Sequence, residues 1–176
     1  MASKLFTAVL LTFLFCNVNA QSSYKWSAGN LTLQSQHDLS SEPGESEWYL
    51  ENNSSDGNLS VSIIYFSYEE MGLESPNESD LDDVVSMYLD ELPYDVNNPD
   101  SKSYTQGGKI LSLVNFTTDG DPTYAGTNKY RDVYHTCAAI YFQGSEFIYI
   151  ANLETDKIGL GYDYLKVIIE SIKTIR

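Results

Sequence analysis

Apolar residues occur at every second position in several segments of the chain, which is the pattern of a β-strand. The clearest segment covers residues 59–68, where Leu59, Val61 and Ile63 share one face and the far end is apolar on both faces. Further strand patterns cover residues 25–33, 48–50, 109–116, 130–142 and 147–153. Polar turns at residues 52–57 and 144–146 join neighbouring strands, so we expect hairpins and antiparallel pairing.

Two segments instead have the helical period. The first is predicted to begin at Ser79 as N-cap, with acidic residues in its first turn, and to end before Pro93. The second covers residues 162–174, and the polar stretches at residues 40–45 and 94–108 are predicted to be loops. This order of strands and helices predicts an α+β domain in which helices flank a central antiparallel β-sheet.

The N-terminus has the pattern of an export signal. Lys4 precedes an apolar stretch over residues 5–15, and Val18-Asn19-Ala20 provides a cleavage site. We therefore expect a signal peptide over residues 1–20 and a single mature domain over residues 21–176. Bulky Phe15 disfavours lipidation of Cys16, so the protein is predicted to be secreted, or periplasmic in a Gram-negative bacterium. Cleavage leaves Cys137 as the one cysteine, which excludes an internal disulfide.

Composition and charge exclude several classes of protein. Hydrophobic residues make up 42% of the chain and charged residues 20%, which excludes disorder on composition. Beyond the signal, no apolar run approaches the roughly 20 residues of a membrane-spanning helix. The formal net charge of −15 would repel a phosphate backbone, so a nucleic-acid partner is disfavoured.

One pair of residues is a candidate for nucleophilic catalysis. His135 and Cys137 are two positions apart on a predicted strand, so they face the same side, and a histidine can activate a thiol. No third orienting group or oxyanion-hole turn accompanies them, and packing of this strand face against a helix is the competing interpretation. The chain also lacks the common cofactor motifs, and Gly107-Gly108-Lys109 is too short to cradle a phosphate.

Two further candidate sites involve oxygen ligands and aromatic rings. Hard oxygen ligands suit calcium, but neither acidic loop fits a twelve-residue calcium loop, and these are also ordinary turn residues. The candidate calcium ligands are Asp95, Asn97, Asp100, Asp119 and Asp121. The chain's 14 tyrosines, with Trp26 and Trp48, could stack on a carbohydrate, or they could simply occupy strand positions.

Six asparagines begin N-x-[ST] triplets, more than the roughly two that chance would give. In a eukaryotic secretory pathway they predict a glycoprotein, whereas in a bacterium they are inert. The six are Asn30, Asn52, Asn53, Asn58, Asn77 and Asn115, with the Asn52-Asn53 turn the preferred acceptor.

The C-terminal third resembles the PsbP-like superfamily, which includes photosystem oxygen-evolving subunits, mycobacterial lipoproteins and Ran-binding Mog proteins. The resemblance rests on the aromatic hairpin YFQGSEFIYI at residues 141–150 and on the helix ending VIIESIK at residues 167–173. It implies a central antiparallel sheet with helices on both faces. It also implies a binding or assembly role without catalysis, and no functional residue carries over.

Together these observations favour an exported, acidic, non-catalytic module that binds a protein or another extracellular ligand, without a cofactor. Two alternatives stay open. One is a small secreted hydrolase that uses Cys137 and His135, and the other is a calcium-dependent protein that binds carbohydrate or a surface.

Overall fold

The computed structural model describes residues 21–54, 57–120, 122–124, 126–127, 131–157 and 160–175. The predicted signal peptide, residues 1–20, lies outside the described residues, and so does Asp121. Residue 130, the predicted first residue of a strand, also lies outside them, and that strand begins at Val133.

The described residues form ten strands and two α-helices. The strands are β1 (Ser22–Trp26), β2 (Leu31–Ser35), β3 (Ser40–Pro43), β4 (Glu47–Ser54), β5 (Gly57–Ser67), β6 (Asn97–Gln106), β7 (Lys109–Thr118), β8 (Val133–Phe142), β9 (Phe147–Thr155) and β10 (Lys173–Thr174). The helices are α1 (Glu78–Asp90) and α2 (Tyr162–Ser171), and a short 3-10 helix covers Pro122–Tyr124. Seven strands form an antiparallel large sheet in the order β3-β4-β5-β9-β8-β7-β6, while β1, β2 and β10 form a small sheet.

The large sheet carries one helix on each face. On the first, which we call the α1 face, α1 packs against β6, β7 and β8, and Leu81 and Val84 are buried against residues such as Val114. On the opposite α2 face, α2 packs against β8, β9 and the small sheet, and the core includes both Trp26 and Trp48. The predicted α+β class, a central antiparallel sheet flanked by helices, is confirmed.

Strand β5 shows how one sheet serves two cores. Leu59, Val61 and Ile63 are fully buried on the α2 face, as their alternation predicted. Ile64, which points the other way, packs against the core on the α1 face. Between Leu59 and Ile63 the residues that point to the α1 face are serines, so this end of the strand is apolar on one side only.

Two predicted loops are wrong, because both segments form edge strands. Residues 40–45 contain β3, and residues 94–108 contain β6. An edge strand is held by backbone hydrogen bonds to one neighbour and needs no apolar period. Its polar sequence therefore has the same composition as a loop. Prolines fit both edges, since Pro43 ends β3 and Pro99 lies in the irregularity between Asn97 and Asp100.

The helix ends also differ from the prediction. The N-cap of α1 is Asn77, not Ser79: its Oδ1 accepts from the backbone N–H of Ser79 and Asp80, and Asp80 accepts in return from the N–H of Asn77. Helix α2 ends at Ser171 rather than residue 174, because Lys173 and Thr174 pair with β2 as strand β10.

Two of the hairpins differ from the prediction, and a third agrees with it. The predicted strand over residues 25–33 is a hairpin of β1 and β2, with a tight turn at Asn30 (φ 54°). The predicted turn over residues 52–57 starts too early, because Asn52 and Asn53 lie within β4. The turn over residues 144–146 is confirmed, and Gly144 adopts the positive φ of 83° that it requires.

A buried lysine joins the large sheet to α2. Lys109 is 6% exposed, and its Nζ donates to the carbonyl oxygens of Glu170 at 2.8 Å and Ile172 at 3.0 Å. Burial, opposed by the Glu170 carboxylate, lowers the pKa of Lys109 to about 8. The ammonium group therefore satisfies carbonyls that the end of a helix leaves without a partner.

Within the described part of the chain, neither helix has the length and apolar character needed to cross a membrane.

Candidate functional site

His135 and Cys137 both lie on β8 and face α1, as their spacing predicted. Cys137 is 0% exposed and packs in the core beneath α1, which raises the pKa of its thiol well above the ordinary value. Nε2 of His135 and Oγ1 of Thr118 are hydrogen-bonded at 3.0 Å, so the imidazole bonds to a threonine and not to the thiol. A buried neutral thiol is a weak nucleophile, so these surroundings favour the packing interpretation over the catalytic one.

The imidazole of His135 is packed among aromatic rings. It stacks on Phe116 with ring centroids 4.6 Å apart, and the Tyr94 ring lies 5.3 Å away. Burial lowers the pKa of His135 to about 4, although the side chain of Asn152 acts in the opposite direction. Nδ1 lies 3.6 Å from Oε2 of Glu154 and makes no hydrogen bond of ordinary length and angle to a described residue.

Helix α1 leaves part of its face of the large sheet uncovered. It packs against β6, β7 and β8, whereas β9, β5 and β4 continue the same face beyond it. Toward one end of the sheet, the side chains that these three strands direct to this surface are polar, and they are exposed or half-buried. We call this surface the open sheet face. It consists of Glu47, Tyr49, Glu51, Ser60, Ser62, Asn152 and Glu154.

The sheet register arranges most of these residues in two cross-strand rows. One row is Glu51–Ser60–Glu154–His135 and the other is Tyr49–Ser62–Asn152–Cys137. Neighbouring strands are about 4.8 Å apart, so the backbone positions of Glu51 and Glu154 are roughly 10 Å apart. Each row therefore begins at an accessible side chain and ends at a buried one.

Hydroxyl groups hold two of the three carboxylates in place. Tyr49 donates to Oε2 of Glu51 at 3.2 Å, and Ser62 donates to Oε1 of Glu47 at 2.8 Å. The pKa of Tyr49 is raised, first by partial burial and then by the charge of Glu51. The open sheet face is therefore an ordered, negatively charged surface with an accessible aromatic ring.

The sequence did not reveal this surface, although the signal was present. Ser60 and Ser62 alternate with buried apolar residues, and Glu47, Tyr49 and Glu51 alternate with Trp48 and Leu50. Such alternation is also typical of any strand with one wet side. Only the register places residues 47–51 and residues 152–154 on one surface, on either side of β5.

The candidate calcium ligands lie around the start of β6 and the end of β7. Asp95, Asp100 and Asp119 are exposed, and Asn97 pairs with Thr117. Across the described residues, no three His, Cys, Asp or Glu side chains are grouped to hold a metal ion. Asp121 lies outside those residues, so its role stays a prediction.

The tryptophans of the predicted carbohydrate platform are buried. Trp26 and Trp48 are both 0% exposed, and their indole N–H groups donate to the carbonyl of Gly44 and to Ser41 Oγ. The ring of Tyr49, which is 36% exposed, is more accessible than either tryptophan.

The six N-x-[ST] asparagines fall into two groups. Four are exposed, namely Asn30, Asn53, Asn58 and Asn77. Asn52 and Asn115 are half-buried, and their side chains bond to Asp38 and Lys157 and to Thr136, respectively. Since Nδ2 of Asn52 already donates to a backbone carbonyl, Asn53 is the better acceptor of the adjacent pair. Glycosylation itself stays a prediction.

The elements described above define an α/β/α sandwich built on an antiparallel sheet. Among solved structures, the chain is similar to the Ran-binding protein Mog1p of Saccharomyces cerevisiae, with a TM-score of 0.55. The two are 12% identical, and the match covers 89% of this chain and 96% of that chain. No family model matches the chain, and no curated protein does. At this identity the likeness shows the fold alone, and it confirms the fold implied by the resemblance to the PsbP-like superfamily.

Proposed function

We propose that this chain is an exported, acidic, non-catalytic binding module that assembles with a protein partner. The observation that carries the proposal is the open sheet face. Its side chains stand on the strands of a packed sheet, so they are positioned before any partner arrives and lose little freedom on binding. The combination of an accessible tyrosine with ordered polar groups suits a protein interface.

Three further observations support this function. The structural neighbour is by its name a Ran-binding protein, so the same fold can carry a protein-binding surface. The burial of Cys137, with the raised pKa of its thiol, removes the main reason to consider a hydrolase. The signal pattern over residues 1–20 supports export.

Partner capture tests the binding role. The full chain carrying a C-terminal tag, expressed at its natural level in its native host and crosslinked before lysis, should recover a specific protein in stoichiometric amount. The same tag without the chain is the control. Failure to recover any specific protein would contradict the binding role.

A separate experiment tests export. The protein recovered outside the cytoplasm should begin at Gln21, as read by mass spectrometry of its N-terminal peptide. An Ala20→Gln variant, which removes the small residue at the cleavage site, should stay uncleaved. An unprocessed wild-type chain that stays in the cytoplasm would contradict export.

A further inference from the structure

The charges of the open sheet face are of one sign. Glu47, Glu51 and Glu154 lie on it, whereas lysines of the same sheet lie on the opposite face. Lys109 contacts the end of α2, and Lys102 lies over the ring of Tyr104, which packs against the core on the α2 face. This uneven distribution favours a cationic ligand on the open sheet face.

Two buried polar atoms at the inner edge of this face lack a hydrogen bond. They are Nδ1 of His135, a residue only 1% exposed, and Oδ1 of Asn152. Nδ1 is accompanied by the amide of Asn152, whose side chain favours the protonated ring, and it lies 3.6 Å from the carboxylate of Glu154. Both buried atoms are covered, so a ligand on this face meets Glu154 first, because its side chain is 41% exposed. The accessible acceptor at this edge is therefore the carboxylate of Glu154.

An arginine side chain suits the carboxylates of the open sheet face. Its guanidinium carries five N–H donors in one plane, which can serve several acceptors at once, whereas a lysine ammonium is a point charge. A guanidinium also stacks on aromatic rings, and Tyr49 and Tyr94 border the site. The second acidic residue, Glu51, has its backbone roughly 10 Å from that of Glu154, which equals about three residues of a polyproline II segment.

We propose that the open sheet face binds an arginine-bearing basic segment of the partner protein, with one guanidinium at Glu154, next to Asn152 and His135, and another at Glu51. This inference rests on the proposed binding function and specifies the chemistry of the partner. The arginines stand three residues apart in a polyproline II segment, whose three residues per turn place both side chains on the same side.

Peptide titration followed by NMR tests the proposal. The probe is the amidated, acetylated peptide GRGGRGGRG, and the matched control peptide replaces each arginine by neutral citrulline. The arginine peptide should shift backbone amides of β4, β5 and β9 and the ¹⁵N resonances of the His135 ring, whereas the citrulline peptide should not. Shifts confined to other surfaces, or equal shifts from both peptides, would overturn the proposal.

Matched variants separate a specific site from general attraction to an acidic protein. The double variant Glu51→Gln/Glu154→Gln should weaken peptide binding about tenfold or more, because each substitution removes one charge-assisted pair. The control Glu69→Gln/Glu70→Gln removes the same charge from exposed residues beyond the other end of β5 and should leave affinity within about twofold. Equal losses in the two double variants would overturn the proposal, and so would Ca²⁺ shifting the same amides more strongly than the peptide. If the test variant misfolds, the proposal is decided by whether the arginine peptide shifts the ring resonances of His135 in the wild-type protein.

Partner capture distinguishes a failure of the proposed binding function from a failure of the assigned binding face. If the wild-type chain recovers a partner and the Glu51→Gln/Glu154→Gln variant recovers it equally well, the module function stands and the assigned face is wrong. If the wild-type chain recovers no partner, the proposed function itself fails.

Discussion

The buried histidine predicts a loss of stability on mild acidification. The pKa of His135 is lowered from 6.5 to about 4 by burial, so the folded protein holds the ring neutral while the unfolded chain protonates near pH 6.5. Between pH 6.5 and pH 4 the unfolded state therefore binds more protons, and the free energy of unfolding falls as the pH falls.

The magnitude follows from the pKa difference. At about 1.36 kcal/mol per pKa unit, a difference of 2.5 units (6.5 − 4) corresponds to about 3 kcal/mol, fully lost below pH 4. This is an upper value, since the Glu154 carboxylate 3.6 Å away would stabilise an imidazolium. Other groups near the ring, Tyr94 and Cys137, stay neutral in this pH range.

Urea unfolding followed by tryptophan fluorescence measures the effect, because both Trp26 and Trp48 are buried and report exposure directly. Carboxylates also titrate toward pH 4, so the informative quantity is the difference between wild type and His135→Gln. The variant is expected to be less stable at pH 7, where it loses the stack on Phe116. That deficit should shrink, by up to about 3 kcal/mol, as the pH falls to 4.

The control is His37→Gln, at a half-buried histidine whose pKa burial and Lys157 also lower. The His37→Gln variant should lose nearly as much unfolding free energy on acidification as the wild-type protein does. Wild type and His135→Gln losing stability in parallel between pH 7 and 4 would refute the reasoning. So would a wild-type His135 that titrates near 6.5 by NMR.

Other substitutions test the fold. Lys109→Met should destabilise the protein by about 2–3 kcal/mol, because it leaves the last carbonyls of α2 without a donor. Thermal unfolding followed by circular dichroism measures this loss, and an unchanged unfolding midpoint would contradict the prediction. Asn77→Ala should cost about 1 kcal/mol as the true N-cap, whereas Ser79→Ala should cost a few tenths, and the reverse order would restore Ser79 as the cap. Cys137 should react with a thiol reagent such as DTNB only when urea unfolds the chain, and rapid labelling of the native protein would revive the hydrolase hypothesis.

The sequence predicted those elements whose pattern comes from burial. The alternation of Leu59, Val61 and Ile63 and the apolar stripe of each helix reflect contacts with a core, so the type and place of these elements were correct apart from the helix ends. Strands β3 and β6 were missed because backbone hydrogen bonds hold an edge strand whatever its side chains are. At the start of β6, Asn97-Asn98-Pro99 has the composition of a turn. Nothing in the local sequence distinguishes such a polar edge strand from a loop.

The candidate site could not be predicted for a different reason. Glu51 and Glu154 are far apart along the chain and become neighbours in a row only through the pairing of β4 with β5 and of β5 with β9. Residue spacing revealed the shared direction of His135 and Cys137, because that depends on one strand. It did not reveal that the ring of His135 would lie beside Glu154, because that depends on the neighbouring strand.

The strands of the open sheet face separate stability from binding. On their α2 face they carry fully buried residues, including Trp48, Val61 and Leu153, which fix their positions through the larger core. The α1 face of these strands can therefore carry polar residues at the open sheet face without loss of the core. Carboxylates on one surface repel each other in the free protein, and a cationic partner relieves that repulsion, so removal of the charges should not harm the fold. Substitution of Glu51 and Glu154 is consequently a test of binding chemistry rather than of structure.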